Sequence, residues 1–367
     1  MSRIVMVTMS LLGELAIALL VVVGIYIVNY RIPQQGIHAV QPVVQTKSDF
    51  MGSPIPTFGS EETSFQNLLT TGVLPEESQQ KRTQLATTNV KRDTVDWHQK
   101  FSQYFTSTVV ATEDSYTSPN LAIHITHGNY DSGLLDLTAD GKHEKYGTQI
   151  AYTIADVYIG DITCFQTAFA QDTYGNGYDE KLSDMASRLG AVLSVNGDSY
   201  NNNRHQNNGT IIRNGVIYRS QKTDMETCVL NWDGTMDIYS PKQLNSRTLI
   251  DRGAYQSWIF GPSLLDQNGK AKKDFLTWDY ITQSHPRTAI GYYEPGHYCF
   301  LLVDGREPGY SRGMFLDEEA AIFERLGCKA AYNLDGGHSS FMTLQDSVVN
   351  TPYKAEHKIS DGIFLME

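Results

Sequence analysis

The sequence predicts an α+β domain built of mixed, mostly antiparallel sheets with two main helices and preceded by a single transmembrane helix. Three observations predict it. From about Asn120 to Glu367, short apolar runs alternate with Gly, Asn and Asp turns, the pattern of a many-stranded domain. Within that stretch only two segments carry sustained helical periodicity. At the N-terminus, Ile4–Val28 is an apolar run long enough to cross a bilayer, which takes roughly 20 residues.

In chain order, Ile4–Val28 comes first. It contains one charged residue, Glu14, and is too long for the apolar core of a cleaved signal peptide, so residues 1–30 read as a retained anchor. Arg3 and Arg31 flank it almost symmetrically, so charge alone does not orient it. Residues 31–115 shift toward Gln, Ser, Thr and Pro and read as a stalk. Within them Trp97, Phe101, Tyr104 and Phe105 have the spacing of a helix that docks on the main domain. Because the stalk lacks the apolar content for a core, a chain starting near Phe101 is expected to fold and keep any activity. Residues 116–367 form the main domain, with strands at Leu121–Ile125, Gln149–Tyr158, Thr210–Ile212, Val216–Tyr218, Thr227–Leu230, Met236–Ile238, Trp258–Phe260, Thr288–Tyr292 and His297–Val303. One helix shows Leu182, Met185, Ala186 and Leu189 on one face and stops at Gly190. The other shows Leu316, Ala320, Phe323 and Leu326 and stops at Gly327.

A net charge of -12 argues against nucleic acid as a partner, since that normally needs a basic face. No P-loop, GxGxxG or zinc-protease motif occurs. The four cysteines match no zinc spacing; they read as buried small hydrophobes, with one disulfide allowed in an oxidising compartment.

The chemistry concentrates at strand ends. Arg188-Leu189-Gly190, an apolar run and Asn196-Gly197-Asp198 are mirrored by Arg325-Leu326-Gly327, an apolar run and Asn333-Leu334-Asp335-Gly336-Gly337-His338-Ser339-Ser340. Twice a helix stops at glycine, a buried strand comes next, and it ends in a carboxylate beside glycine and hydroxyl groups. Pro286-Arg287-Thr288 and Asp304-Gly305-Arg306 add two arginines at further turns. Each cluster alone could be an ordinary turn. Together, carboxylates could stabilise positive charge at an anomeric carbon while arginines hold a phosphate in two-point contact.

The ordered set Leu193–Tyr200, Phe260-Gly261-Pro262, Pro286–Gly291, Val303–Tyr310, Asn333–Ser340 and Ile359-Ser360-Asp361-Gly362 resembles the phosphodiester glycosidase domain family, which includes the lysosomal uncovering enzyme and bacterial exopolysaccharide-related proteins. The resemblance runs from about Thr148 to Glu367. It departs from the family at His338, where a third glycine is frequent, and at Asp198, where a second glycine is frequent.

This resemblance implies hydrolysis of a sugar-1-phosphodiester at the glycosidic C–O bond, on a carbohydrate or glycosyl-phosphate substrate. Asp335 is then the nucleophile or charge stabiliser, Asp198 and Asp304 are candidates for general base or sugar-hydroxyl binding, and His338 assists proton transfer. Arg287 and Arg306 take the phosphate with the N–H groups of Gly336 and Gly337, supported by Asn196, Gly197, Thr288, Ser339 and Ser340. No cofactor is required, although three aspartates could also hold a divalent metal. The chain is expected at the cell membrane, single-pass, with the catalytic domain outside. Two other readings use the same residues. One is a non-catalytic glycan-binding component of polysaccharide assembly, with Tyr200, Trp258, Tyr292, Tyr293 and Tyr310 as its aromatics. The other is a glycosidase acting on ordinary glycosides.

Overall fold

The computed structural model describes residues 3–30, 36–39, 96–137, 141, 144–201, 208–242, 244 and 246–367. Two antiparallel sheets dominate. The larger has seven strands in the order Ala330–Asn333, Arg287–Glu294, His297–Val303, Gln149–Ile159, Leu121–Asp131, Ser115–Thr117 and Val110–Ala111. The smaller has five, in the order Ser347–Val348, Met342–Leu344, Leu193–Asn196, Asp361–Leu365 and Phe165–Phe169.

Period-two alternation decides what each face meets. Phe300 and Leu302 point to one side of the larger sheet and join Ile123, Ile125 and Val157. There they pack on Phe165, Leu193, Val195, Met342 and Ile363 of the smaller sheet. Their neighbours Cys299, Leu301 and Val303 point to the other side and meet Leu316, Ala320 and Phe323 of the helix Leu316–Leu326. The smaller sheet is covered on its outer side by the helix Leu182–Leu189, whose Leu182, Met185 and Ala186 pack on Phe364. The layers therefore run helix, sheet, sheet, helix, and strand His297–Val303 is apolar from Cys299 to Val303 because both its faces are covered there. A three-stranded sheet (Met236–Tyr239, Thr227–Asn231, Ala254–Trp258) and the hairpin Thr210–Arg213/Val216–Ser220 complete the domain. Among the described residues the domain is thus mixed α+β with mostly antiparallel sheets, as the periodicity implies.

Two expectations need correction, and a third, the docking helix, forms but is shorter. The strand expected at Trp258–Phe260 lies at Ala254–Trp258, because Ile259 and Phe260 leave the ladder and give their N–H groups to Asp198 instead. The stalk contributes to the domain: Ile37–His38 pairs with Thr173–Tyr174, and Ile37 is buried among Phe169, Tyr200 and Ile259. The docking helix is Trp97–Lys100, capped by Asp96, and Trp97 and Phe101 enter the central core. The rest of the stalk, residues 31–35 and 40–95, lies outside the described residues.

Arg3–Tyr30 forms one 28-residue helix, with side chains described from 13 to 26. Among the described residues no helix is long and apolar enough to cross a membrane.

Candidate active site

Both helix–glycine–strand units form as the sequence indicates. Gly190 and Gly327 close their helices in the left-handed conformation, at φ 66° and 80°. The strands after them, Leu193–Asn196 and Ala330–Asn333, belong to different sheets, yet their ends meet. Asn196 Nδ2 donates to the Asp335 carbonyl at 2.6 Å, and Asp335 N–H donates to the Gly197 carbonyl at 3.2 Å. Thr288 Oγ1 fixes Asn196 through its side-chain oxygen at 2.7 Å. A Cβ at Gly197 would lie 2.7 Å from Asp361 Oδ1, so only glycine permits this approach.

Asp335 is half-buried at this junction. Burial pushes its carboxyl up to about 7; hydrogen bonds from Ser339 and the Gly336 N–H oppose the shift, and the negative charges of Asp198 and Asp361 add to it. Those two aspartates are buried behind it and share Arg213. Arg213 Nε donates to Asp361 Oδ2 at 2.9 Å, a second contact runs from Nη2 to the same oxygen, and Nη2 reaches Asp198 at 3.4 Å. Asp198 also accepts the Ile259 and Phe260 N–H groups at 2.9 and 3.0 Å. Burial raises the affinity of both carboxyls for protons, and Arg213 works against it. Three carboxyls beside one guanidinium leave an excess of negative charge, which the least buried member, Asp335, can relieve by taking a proton.

Arg306 lies against the same turn. A Cβ at Gly337 would sit 3.1 Å from Arg306 Nη2, so the guanidinium lies against the bare glycine. Arg306 itself adopts φ 62°. Its Nη1 donates to the Tyr353 hydroxyl at 2.8 Å and its Nη2 to His285 Nδ1 at 3.2 Å. Since His285 Nε2 lies 2.7 Å from the Tyr280 carbonyl, which can only accept, the proton of His285 sits on Nε2 and Nδ1 accepts. Burial and then the nearby Arg287 charge hold His285 down at about 4, so it is a neutral acceptor that orients Arg306. His338 Nε2 donates to the Ala355 carbonyl at 2.8 Å and its ring stacks on His357 at 4.8 Å, beside Tyr353.

Several expected groups are placed differently. Arg287 is buried, with Nε on the Met314 carbonyl at 3.0 Å and Nη2 on the Ile281 and Gln283 carbonyls at 2.6 Å each. With those contacts made it does not offer a two-point grip to a ligand, and its charge acts on His285 and on buried Glu319 instead. The Gly336 N–H is committed to Asp335 Oδ1, and the Gly337 N–H to the Pro286 carbonyl at 2.9 Å, so neither is free for a phosphate. Asp198 is an anchor rather than a solvent-facing base, and Asn196 and Thr288 are supports. Asp304 lies in a separate cavity of about 140 Å³ with His127, Tyr310 and Asn350. It accepts from Tyr310 at 3.0 Å, Asn350 at 2.9 Å and the Thr351 N–H at 3.0 Å. Ser340 Oγ is buried without a partner.

Sequence reasoning passed over Arg213, His285, Tyr353 and the role of Asp361. Ile359–Gly362 did mark Asp361, but nothing local marks Arg213, which reads as an ordinary strand residue. Among the described residues no cluster of three His, Cys, Asp or Glu side chains is arranged to hold a metal ion.

Comparison with known proteins fits this geometry. The match to the phosphodiester glycosidase family model covers residues 189–366 and so includes both strand ends, Arg213, Arg306 and Asp361. The chain is 31% identical over 194 residues to the SPbeta prophage-derived uncharacterized protein YomE of Bacillus subtilis (strain 168); the match spans 52% of this chain and 29% of that protein's length. The catalytic domain of zebrafish N-acetylglucosamine-1-phosphodiester alpha-N-acetylglucosaminidase, solved auto-inhibited by its pro-peptide, shares the fold. It has a TM-score of 0.51 at 20% identity, with 71% of this chain and 88% of that one covered. Residues 189–366, just under half of the chain, therefore match the phosphodiester glycosidase family.

Proposed function

We propose that the protein hydrolyses a sugar-1-phosphodiester of a cell-surface or exopolysaccharide glycan by cleaving the glycosidic C–O bond. One observation carries the reading. Asp335 and Arg306 both border the Gly336-Gly337 turn, a carboxyl for the sugar carbon and a guanidinium for the phosphate. The family match supports a glycosidase-type activity.

In this reading, remaining N–H groups of Arg306 hold the phosphoryl oxygens while His285 and Tyr353 keep the guanidinium in place. The leaving phosphate is weakly basic and needs little protonation. The ionised Asp335 then either receives the proton of the attacking water or stabilises the oxocarbenium-like carbon directly. The C1–O bond breaks, water supplies the new C1–O bond, and the phosphate monoester departs. The chain is held at the membrane through Ile4–Val28 with the domain outside; the support for this is the length and apolarity of that run in the sequence.

The non-catalytic reading has less to stand on. Of its five aromatics, Tyr200, Trp258 and Tyr292 are buried in the core, and Tyr293 is stacked on His297. The decisive measurement is turnover of a panel of sugar-1-phosphodiesters against matching plain glycosides, N-acetylglucosamine first, with Asp335→Asn beside the native protein. Phosphate-monoester release by the native protein and its loss in the variant is the expected result. Hydrolysis of the plain glycosides alone would replace this reading with the ordinary-glycosidase one.

A further inference from the structure

Gly291 lies inside strand Arg287–Glu294, a covered strand in which glycine forgoes a packed side chain and restricts a flexible backbone. Its φ is not left-handed, so no turn accounts for it. Its surroundings do. A Cβ at Gly291 would lie 2.6 Å from Cys299 Sγ and 2.7 Å from Phe323. Gly291 is in register with Cys299 on one side and Ala331 on the other. The missing side chain opens a passage over the middle strand. Through it Cys299 Sγ comes within 3.7 Å of Cys328 Sγ, on the far side of that strand. Both cysteines are buried, and Cys328 is tied to the helix end by its N–H bond to the Phe323 carbonyl at 3.1 Å.

We propose that Cys299 and Cys328 form a disulfide when the chain folds in an oxidising compartment. The two sulfurs are already 3.7 Å apart, so a bond of about 2.05 Å requires the pair to close that remaining gap as the chain folds. The chemistry is exchange with an external disulfide. The Cys299–Cys328 bond forms, the external S–S bond breaks, and the two electrons and two protons leave on its two thiols. Both sulfurs are shut in by helix Leu316–Leu326 once folding ends, so the bond forms during folding and not by attack on the finished domain. Cys164 and Cys228 lie in the core between the sheets and stay as thiols.

The consequence concerns the site. Strand His297–Val303 delivers Asp304 and Arg306, and Cys328 stands just before strand Ala330–Asn333, which delivers Asp335. The bridge would clamp across Gly291 the two strands that set the Asp335–Arg306 spacing. This inference is independent of the reaction assigned above.

The test refolds the full chain in a mixture of oxidised and reduced glutathione, then alkylates it in denaturant without reductant and maps the peptides by mass. The expected result is two alkylated cysteines, Cys164 and Cys228, and one linked peptide pair 299–328 that is 2 Da lighter than the two thiol forms. A Cys164→Ser/Cys228→Ser variant should keep that pair. Four alkylated cysteines, or a bridge to Cys164 or Cys228, would overturn the proposal. If the bridge clamps the strands, prior reduction should lower Tm by several degrees; an unchanged Tm would remove the clamping role.

Discussion

A carboxyl that ionises near neutral pH is suited to exchanging protons with water, and burial first of all gives Asp335 that property. The side chain is half-shielded from water and faces the negative field of Asp198 and Asp361, which Arg213 only partly cancels. The reaction as proposed uses the ionised form, so activity should rise with pH through about 7 and level off above it. Asp335→Asn should lower turnover by about 10²–10³-fold with folding preserved. A pH profile falling through 7 instead would assign Asp335 the role of proton donor. Arg306→Lys should raise KM for phosphodiesters by about tenfold and leave plain glycosides less affected, since lysine presents a point charge where the fork is required. His285 acts one step removed. His285→Ala should weaken phosphodiester binding, and His285→Gln, which keeps an acceptor, should restore part of it; equal losses in both variants would reduce His285 to a packing residue.

At the scale of elements, helix Leu316–Leu326 carries a buried carboxyl that the reaction does not use. Glu319 is enclosed, neither of its oxygens has a hydrogen-bond partner, and the nearest cation, Arg287 Nε, is 3.9 Å away. Burial pushes its pKa up to about 8, with Arg287 pulling the other way. A carboxyl whose folded-state pKa lies above its unfolded value of 4.5 binds protons more tightly in the fold. Its contribution to stability is thus fully present below pH 4.5 and is lost as pH rises through about 8. Glu319→Gln should therefore flatten the decline in stability between pH 5 and 9 and melt above the native protein at pH 9. Denaturant titrations at both pH values check it, and parallel curves would show that Glu319 stays ionised inside the fold. Gly291→Ala, in the strand behind, should cost about 1–3 kcal/mol because the added methyl meets both Cys299 and Phe323.

The whole molecule explains why a cut at Phe101 is a poor one. Trp97 fills a socket made by two glycines, where a Cβ at Gly234 would come within 2.4 Å of its ring and one at Gly296 within 3.0 Å. A chain starting at Phe101 loses that ring and should be destabilised by about 3–5 kcal/mol, as Trp97→Ala should be. A chain starting at Asp96, which keeps the cap on His98 N–H at 3.0 Å, should unfold in one cooperative transition. Equal stability of the two truncations would show that Trp97 is dispensable.

Much of the architecture could be read locally, since helix and strand periodicity and a stopping glycine are properties of neighbouring residues. Both helices, both left-handed glycine caps and the strand His297–Val303 were readable for that reason, as was the concentration of chemistry at Asn196–Asp198, Asp304–Arg306 and Asp335–Ser340. The sequence could not say which groups face the ligand, because that depends on partners far along the chain. Arg213 reaches Asp361 across 148 positions. Carbonyls from a neighbouring turn occupy Arg287. The Pro286 carbonyl uses the Gly337 N–H. Asp198 sits behind the site because Ile259 and Phe260 turn their amides to it. Composition and periodicity by themselves determined the mixed α+β class, the two main helices and the polar groups at the strand ends; only the stacking of two sheets decided the layers, which carboxyl lies nearest water and which guanidinium stays outside the core, because burial and hydrogen-bond satisfaction are set by residues distant in sequence.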